Sequence, residues 1–345
     1  MRIVIVLAFA LTLSLLSVER ALTHGDDAAD VKNAVERSVP LLQGVGPKFI
    51  EYTGCVSCHH NSLPEMAVAL ARERGVKVDD RIAQENKAAI YRKIEQVLVR
   101  EKLLFGAGTP GDATTVGYIL MGLAADKQPA DKNTDAMIHY LLGKQSKDGR
   151  WKPVTYRPPM EFSDFTTTAV TLRALQLYAP KGRADEVARR ADLARTWLAA
   201  ATPSTNEERA FQLLGLRWAN AKRSDLHKAV KGLLAAQRKD GGWAQLPTLE
   251  SDAYATGQSL VALHQAGGLQ VADPAYRRGV EFLLKTQLQD GSWLIRTRAL
   301  PFQRYFESGF PHGKDQWISA AGTSWATMAL ALALPVSNMD RLNAR

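Results

Sequence analysis

A seven-residue pattern occurs three times in this chain, and no other feature restricts the fold as strongly. The copies are Gln145-Ser-Lys-Asp148-Gly149-Arg-Trp151, Gln237-Arg-Lys-Asp240-Gly241-Gly-Trp243 and Gln287-Leu-Gln-Asp290-Gly291-Ser-Trp293, each reading Q-x-x-D-G-x-W. Each follows an apolar helical stretch, at Tyr140-Leu-Leu, Gly232-Leu-Leu and Phe282-Leu-Leu. The first two copies lie 92 residues apart and the last two 50 apart, so one unit is about 46 to 50 residues. Self-similarity at a fixed period means stacked supersecondary units, because a single unit cannot bury its own apolar face.

Beyond each Asp-Gly turn comes a loop, then an acidic or small polar residue, then a second helix rich in Ala and Leu. Asp164-Phe-Thr-Thr-Thr-Ala-Val and Asp252-Ala-Tyr-Ala-Thr-Gly-Gln are examples. Asp112-Ala-Thr-Thr and Ser319-Ala-Ala-Gly have the same form. Asp or Ser at such a position predicts an N-cap that accepts the free backbone N–H groups of the first turn. The spacing predicts six helix pairs, over residues 31–75, 86–125, 133–179, 185–219, 225–267 and 274–334, the fourth without its Gln/Trp turn. Alternating strand patterns are almost absent, so the expected class is all-α.

The repeats resemble those of squalene-hopene cyclases and of protein prenyltransferase β subunits. That resemblance implies one α/α toroid over residues 26–338, with inner helices around an axis and outer helices as a shell. It also implies that Gln145, Trp151, Gln237, Trp243, Gln287 and Trp293 tie the outer helices to their neighbours. A repeat of this kind specifies a fold and not a reaction.

Met1-Arg2 followed by the apolar run Ile3 to Val18 and a polar stretch has the order of a secretory signal, expected over residues 1–22, with an uncleaved N-terminal anchor as the alternative. The expectation is therefore an exported protein, periplasmic or extracellular, without a membrane span after signal removal. Lys and Arg number 44 against 35 Asp and Glu, for a net charge of +9, but the charges are interspersed. No basic arm exists, which argues against a nucleic-acid partner. Two cysteines cannot staple a disulfide scaffold.

Both cysteines fall in Gly54-Cys55-Val56-Ser57-Cys58-His59-His60-Asn61. C-x-x-C-H is the attachment pattern of c-type haem, with Cys55 and Cys58 as thioether anchors and His59 on iron. His60, Met66, His312 or an open position are the choices for the distal side. A zinc site drawing on Cys55, Cys58, His59 or His60 and a rim Asp or His is a second reading, since thiolate and imidazole suit that ion. Prenyltransferase β subunits hold zinc at the toroid mouth, but at another spacing, so none of their ligands carries over. A Cys55–Cys58 disulfide is the third.

In an α/α toroid all outer-to-inner connections lie on one face. Cys55, Cys58, His59 and His60 should share that mouth with Asp112, Asp164, Asp252 and a long loop, residues 296–315, that contains Phe302, Tyr305, Phe306, Glu307 and His312. The resemblance to squalene-hopene cyclases implies an alkene-protonating Asp in a D-x-D-D motif. Glu250-Ser251-Asp252 lacks the adjacent pair of aspartates, leaving Asp252 or Asp164 as candidate acids. Three functions stay open: a haem or metal protein with an electron-transfer partner, a terpene cyclase-like isomerase acting on an apolar small molecule in the central cavity, and a non-catalytic interaction domain.

Overall fold

The computed structural model describes residues 26–97, 100–108, 111–301 and 304–336. The expected signal segment, Phe302 and the last residues of the expected toroid range lie outside the described residues. The helices are α1 (Asp26–Thr53), α2 (Leu63–Glu73), α3 (Asp80–Val97), α4 (Arg100–Leu104), α5 (Asp112–Ala125), α6 (Lys132–Gly143) and α7 (Asp164–Tyr178). They continue as α8 (Ala184–Ala200), α9 (Asn206–Trp218), α10 (Arg223–Leu234), α11 (Ala253–Gln265), α12 (Pro274–Thr286) and α13 (Gln316–Ala333). A π-helical turn, Cys58–Ser62, precedes α2. Among the described residues, extended pairing is limited to two isolated bridges.

Burial sorts the helices into two rings. Every residue of α5 from Asp112 to Leu123 and of α11 from Ala253 to Leu263 is buried. A helix covered on all sides belongs to the interior. By contrast α10 buries only Leu226, Ala229 and Leu233, and α12 only Tyr276, Gly279 and Leu283. That single stripe at a spacing of three and four is the mark of an outer helix. The inner helices α2, α5, α7, α9, α11 and α13 pack in that order, and α13 packs back on α2. The result is a closed toroid of six pairs. Close approach inside the ring requires small residues: a Cβ on Gly257 would stand 2.5 Å from the Trp325 carbonyl carbon on the neighbouring α13.

The repeated motif makes the joints. Gln145, Gln237 and Gln287 each donate their amide N–H to the carbonyl of their own turn glycine, at 2.7, 2.9 and 3.1 Å. Each also donates to the next outer helix, at Arg190 O (2.9 Å), Ala275 O (2.8 Å) and Ala34 O (2.9 Å). An arginine of that neighbour, Arg190, Arg278 or Arg37, donates in return to the Gln Oε1. The buried indoles of Trp151, Trp243 and Trp293 donate to the end of their own outer helix, at Leu141 O, Leu233 O and Leu283 O. Backbone N–H groups of the same tryptophans donate to Thr168, Thr256 and Thr323 on the inner helices. One motif thus binds an outer helix, its inner partner and the next outer helix.

The capping expectations hold unevenly. Asp252 does cap α11, accepting from Ala255 N at 2.9 Å. Ser163 rather than Asp164 caps α7, and Asp112 lies past Gly111 with φ of 47° and accepts from the Tyr140 hydroxyl. Helix α13 starts at Gln316, upstream of Ser319, and the second outer helix starts at Asp80, upstream of residue 86. In the fourth pair Gln212 of α9 takes the place of the missing turn, donating to Leu198 O and Ala201 O at the end of α8. No helix of the described residues is long and apolar enough to cross a membrane.

Candidate functional site

The connection from α1 to α2 is wound into a π-helical turn whose start is fixed by local hydrogen bonds. Ser57 Oγ accepts from His60 N at 3.1 Å, and Asn61 Oδ1 accepts from Ser57 N at 2.9 Å. Single π turns of this kind cluster at functional sites. Here the turn buries Cys58, His59 and His60 together. Cys58 Sγ lies 3.0 Å from Oε1 of Glu161, a buried residue of the loop before α7. Arg157 Nε holds the other carboxylate oxygen at 3.1 Å. A ligand atom from each of Cys58, His59 and Glu161 lies within 4.8 Å of the other two. These three side chains have the chemistry and proximity to hold a metal ion.

Around that trio, the ring nitrogens His59 Nδ1 and His60 Nδ1 face each other, and His60 Nε2 reaches Ser308 Oγ at 2.8 Å. Ser308 donates to Gln316 Oε1 at 2.6 Å. Phe49 stacks on His60 at 4.7 Å, and Trp317 meets His59 edge-on at 5.7 Å. Burial and the neighbouring Glu161 charge hold the Cys58 thiol well above its usual range. Burial lowers both histidines, His60 to about 3, so each is a neutral imidazole.

The remaining sequence candidates disperse. Cys55 Sγ turns away toward Val56 O at 3.5 Å, only partly buried, and both thiols are free. Thioether attachment needs Cys55, Cys58 and His59 on one open face, whereas Cys58 faces Glu161 inside the protein. Met66, a candidate distal ligand, lines a cavity near the axis instead. His312 sits apart, its Nε2 2.7 Å from Ser292 Oγ in the sixth turn. Asp164 pairs with Arg150 at 2.7 Å. Burial pushes the Asp252 carboxyl up to about 6.

A further buried carboxyl, which the sequence did not single out, stands at the start of α9. Glu207, in the first turn of α9, is buried and accepts from Tyr254 Oη at 2.7 Å and from Thr166 Oγ1 at 2.8 Å. Burial pushes it up to about 7, against the lowering effect of those hydrogen bonds. Along the same face of α9 come Phe211 and then Leu214, and Leu214 lines a cavity of about 320 Å³. Met66, Met121, Trp218, Val261, Trp325 and Met328 complete much of its wall, with Glu73 and Arg173 also lining it. These residues come mainly from the C-terminal halves of the inner helices. The cavity therefore lies toward the end of the ring opposite the Cys58 mouth, whereas Glu207, in the first turn of α9, stands at the mouth end.

The chain matches no protein-family model. Over 220 residues, 52% of the chain, it is 28% identical to a squalene–hopene cyclase of Bradyrhizobium diazoefficiens, of which the match spans 32%. The type II terpene cyclase MstE of Scytonema superposes with a TM-score of 0.58 at 14% identity, covering 90% of this chain and 100% of that one. The fold is that of the type II terpene cyclases. A variant of MstE in complex with geranylgeranyl dihydroxybenzoate, its substrate, gives a TM-score of 0.59 at 14% identity over 90% of this chain and 99% of that one. A protein from Actinoplanes gives 0.54 at 16% identity, covering 88% of this chain and all of the other. In this toroid the sequence pointed to the rim, while Glu207 and the cavity emerge only from the fold.

Proposed function

We propose that this protein is a terpene cyclase-like isomerase that takes an apolar, isoprenoid-type chain in its axial cavity, with Glu207 as the proton donor. The observation that carries this reading is a buried carboxyl, pushed up to about 7, on the face of α9 whose Leu214 and Trp218, two and three turns further on, line the axial cavity. Protonating an alkene needs an acid kept protonated near neutral pH and aimed at a dry site. Glu207 meets the first demand through burial, and Tyr254 and Thr166 hold its two oxygens. Proton transfer to an alkene carbon leaves a carbocation; Trp325, whose ring lines the cavity, suits that charge by cation–π attraction. The cation is discharged by loss of a proton, so the product is an isomer of the substrate.

Gln258 lies between Tyr254 and Val261 on α11, buried, and its side chain reaches both Glu207 and Tyr254. Export of the protein is a separate proposal that rests on residues 1–22 alone.

The test is incubation of the full chain with linear polyprenyl compounds of several lengths, free and arene-linked, with products read by mass spectrometry and NMR. The expected product has unchanged mass and fewer olefinic protons. Glu207→Gln should cut turnover by at least about 100-fold, the usual scale for loss of a general acid. Asp252→Asn and Asp164→Asn should cost less than about tenfold. Wild-type protein that neither binds nor converts any of these chains would remove the proposal.

A further inference from the structure

The Cys58 cluster has no part in the cavity chemistry, and its composition calls for its own account. We infer that Cys58, His59 and Glu161 are the three protein ligands of a transition-metal ion, zinc by ligand chemistry, with a fourth position open. One sulfur, one imidazole nitrogen and one carboxylate oxygen form a donor set suited to zinc, and three protein ligands with one free place is a frequent arrangement. Bonds of about 2.0–2.3 Å in a tetrahedron hold donor atoms about 3.3–3.8 Å apart. The trio here already lies within 4.8 Å, so small side-chain rotations close it on an ion.

The surroundings are those of a held site. Arg157 fixes the second oxygen of Glu161 at 3.1 Å. His60 stands against His59 and is itself held by Ser308 and Gln316, a chain of outer partners of the sort that orients metal-binding imidazoles. The π-helical winding is what brings Cys58 and His59 inward side by side.

An independent observation points to a missing ligand. Tyr118 on α5 is completely buried, its hydroxyl has no hydrogen-bond partner, and it lies within electrostatic reach of both Cys58 and Glu161. A water molecule in the open position of the ion would supply that partner. Tyr118 also lies within reach of Glu207, so the metal site and that acid are neighbours through one phenol. The metal assignment does not depend on the cyclase reading.

The experiment measures metal in the purified full chain by mass spectrometry and then replaces it with Co²⁺. About one Zn²⁺ per folded chain is expected, and the cobalt form should show a thiolate-to-metal charge-transfer band. Cys58→Ser and His59→Ala should retain less than about a tenth of the metal, while Cys55→Ser retains all of it. Glu161→Gln, nearly the same shape, guards against variants that fail to fold; with an unchanged circular dichroism spectrum it should bind Zn²⁺ at least tenfold more weakly. Folded wild-type chain that takes up neither Zn²⁺ nor Co²⁺ would overturn the inference. So would Cys55→Ser losing as much metal as Cys58→Ser, or iron with a Soret band that depends on Cys55.

Discussion

Glu207 ionises against its surroundings, and that has a measurable sign. Its folded value of about 7 lies above the ordinary carboxyl value of 4.5, so the folded state holds this proton more tightly than the unfolded chain. Stability contributed by the group is therefore present at low pH and declines as pH rises from about 4.5 to about 7. Glu207→Gln should flatten the stability profile by close to one proton, about 1.4 kcal/mol per pH unit, within that window. Urea unfolding at a series of pH values checks it; an unchanged slope would mean that Glu207 is ordinary. By the same value, kcat/KM for any proton-donating reaction should fall about tenfold per pH unit above about pH 7.

Neither Glu207 nor Glu161 was legible in the sequence. Thr205-Asn-Glu-Glu208 reads as a helix start, and its capping box does form, using Glu208. That role masks the adjacent Glu207, which the ring turns inward. Glu161 lies 103 residues from Cys58 in a loop with no periodicity, so only the fold reveals their contact. The Cys-His run itself was legible as a metal or haem motif, yet spacing alone carried no information that Cys55 would face away. A small signal was available: Glu207 stands in the first turn of an inner helix, the register in which the other pairs place their conspicuous aspartates.

Among elements, the Asp-Gly turns show how much a short motif can specify. Gly149, Gly241 and Gly291 have φ of 97°, 87° and 88°, and a Cβ at each would meet a carbonyl oxygen of the next outer helix at 2.3, 2.4 and 2.4 Å. Both the backbone conformation and the space therefore demand glycine. Gly241→Ala should destabilise by about 2 kcal/mol or more, as strain and steric displacement add. Trp243→Ala, which empties a fully buried site and removes the indole hydrogen bond to Leu233 O, should cost about 3–5 kcal/mol. Thermal and urea unfolding measure both; losses below about 1 kcal/mol would show that the joint is slack. The positions of the pairs were readable because this motif fixes turns. Helix starts were less so: a polar residue before an apolar run can be a cap, as at Asp252, or belong to the first turn, as at Asp164.

For the molecule as a whole, the joint between the sixth and first pairs has a particular standing. Gln287 and Gly291 engage Ala34 and Arg37 of α1 through the contacts that Gln145 and Gly149 make with α8, and Gln237 and Gly241 with α12. The seam is thus chemically one more joint. A linear repeat array unravels from its exposed ends, one unit after another, and needs capping units for that reason. A closed ring offers no end from which to fray: removing any one pair breaks two joints together. Urea unfolding followed by circular dichroism and by tryptophan fluorescence should therefore give one coincident transition, and Gln287→Ala, by loosening the seam, should separate the two curves. Closure trades piecemeal local loss for an all-or-none threshold.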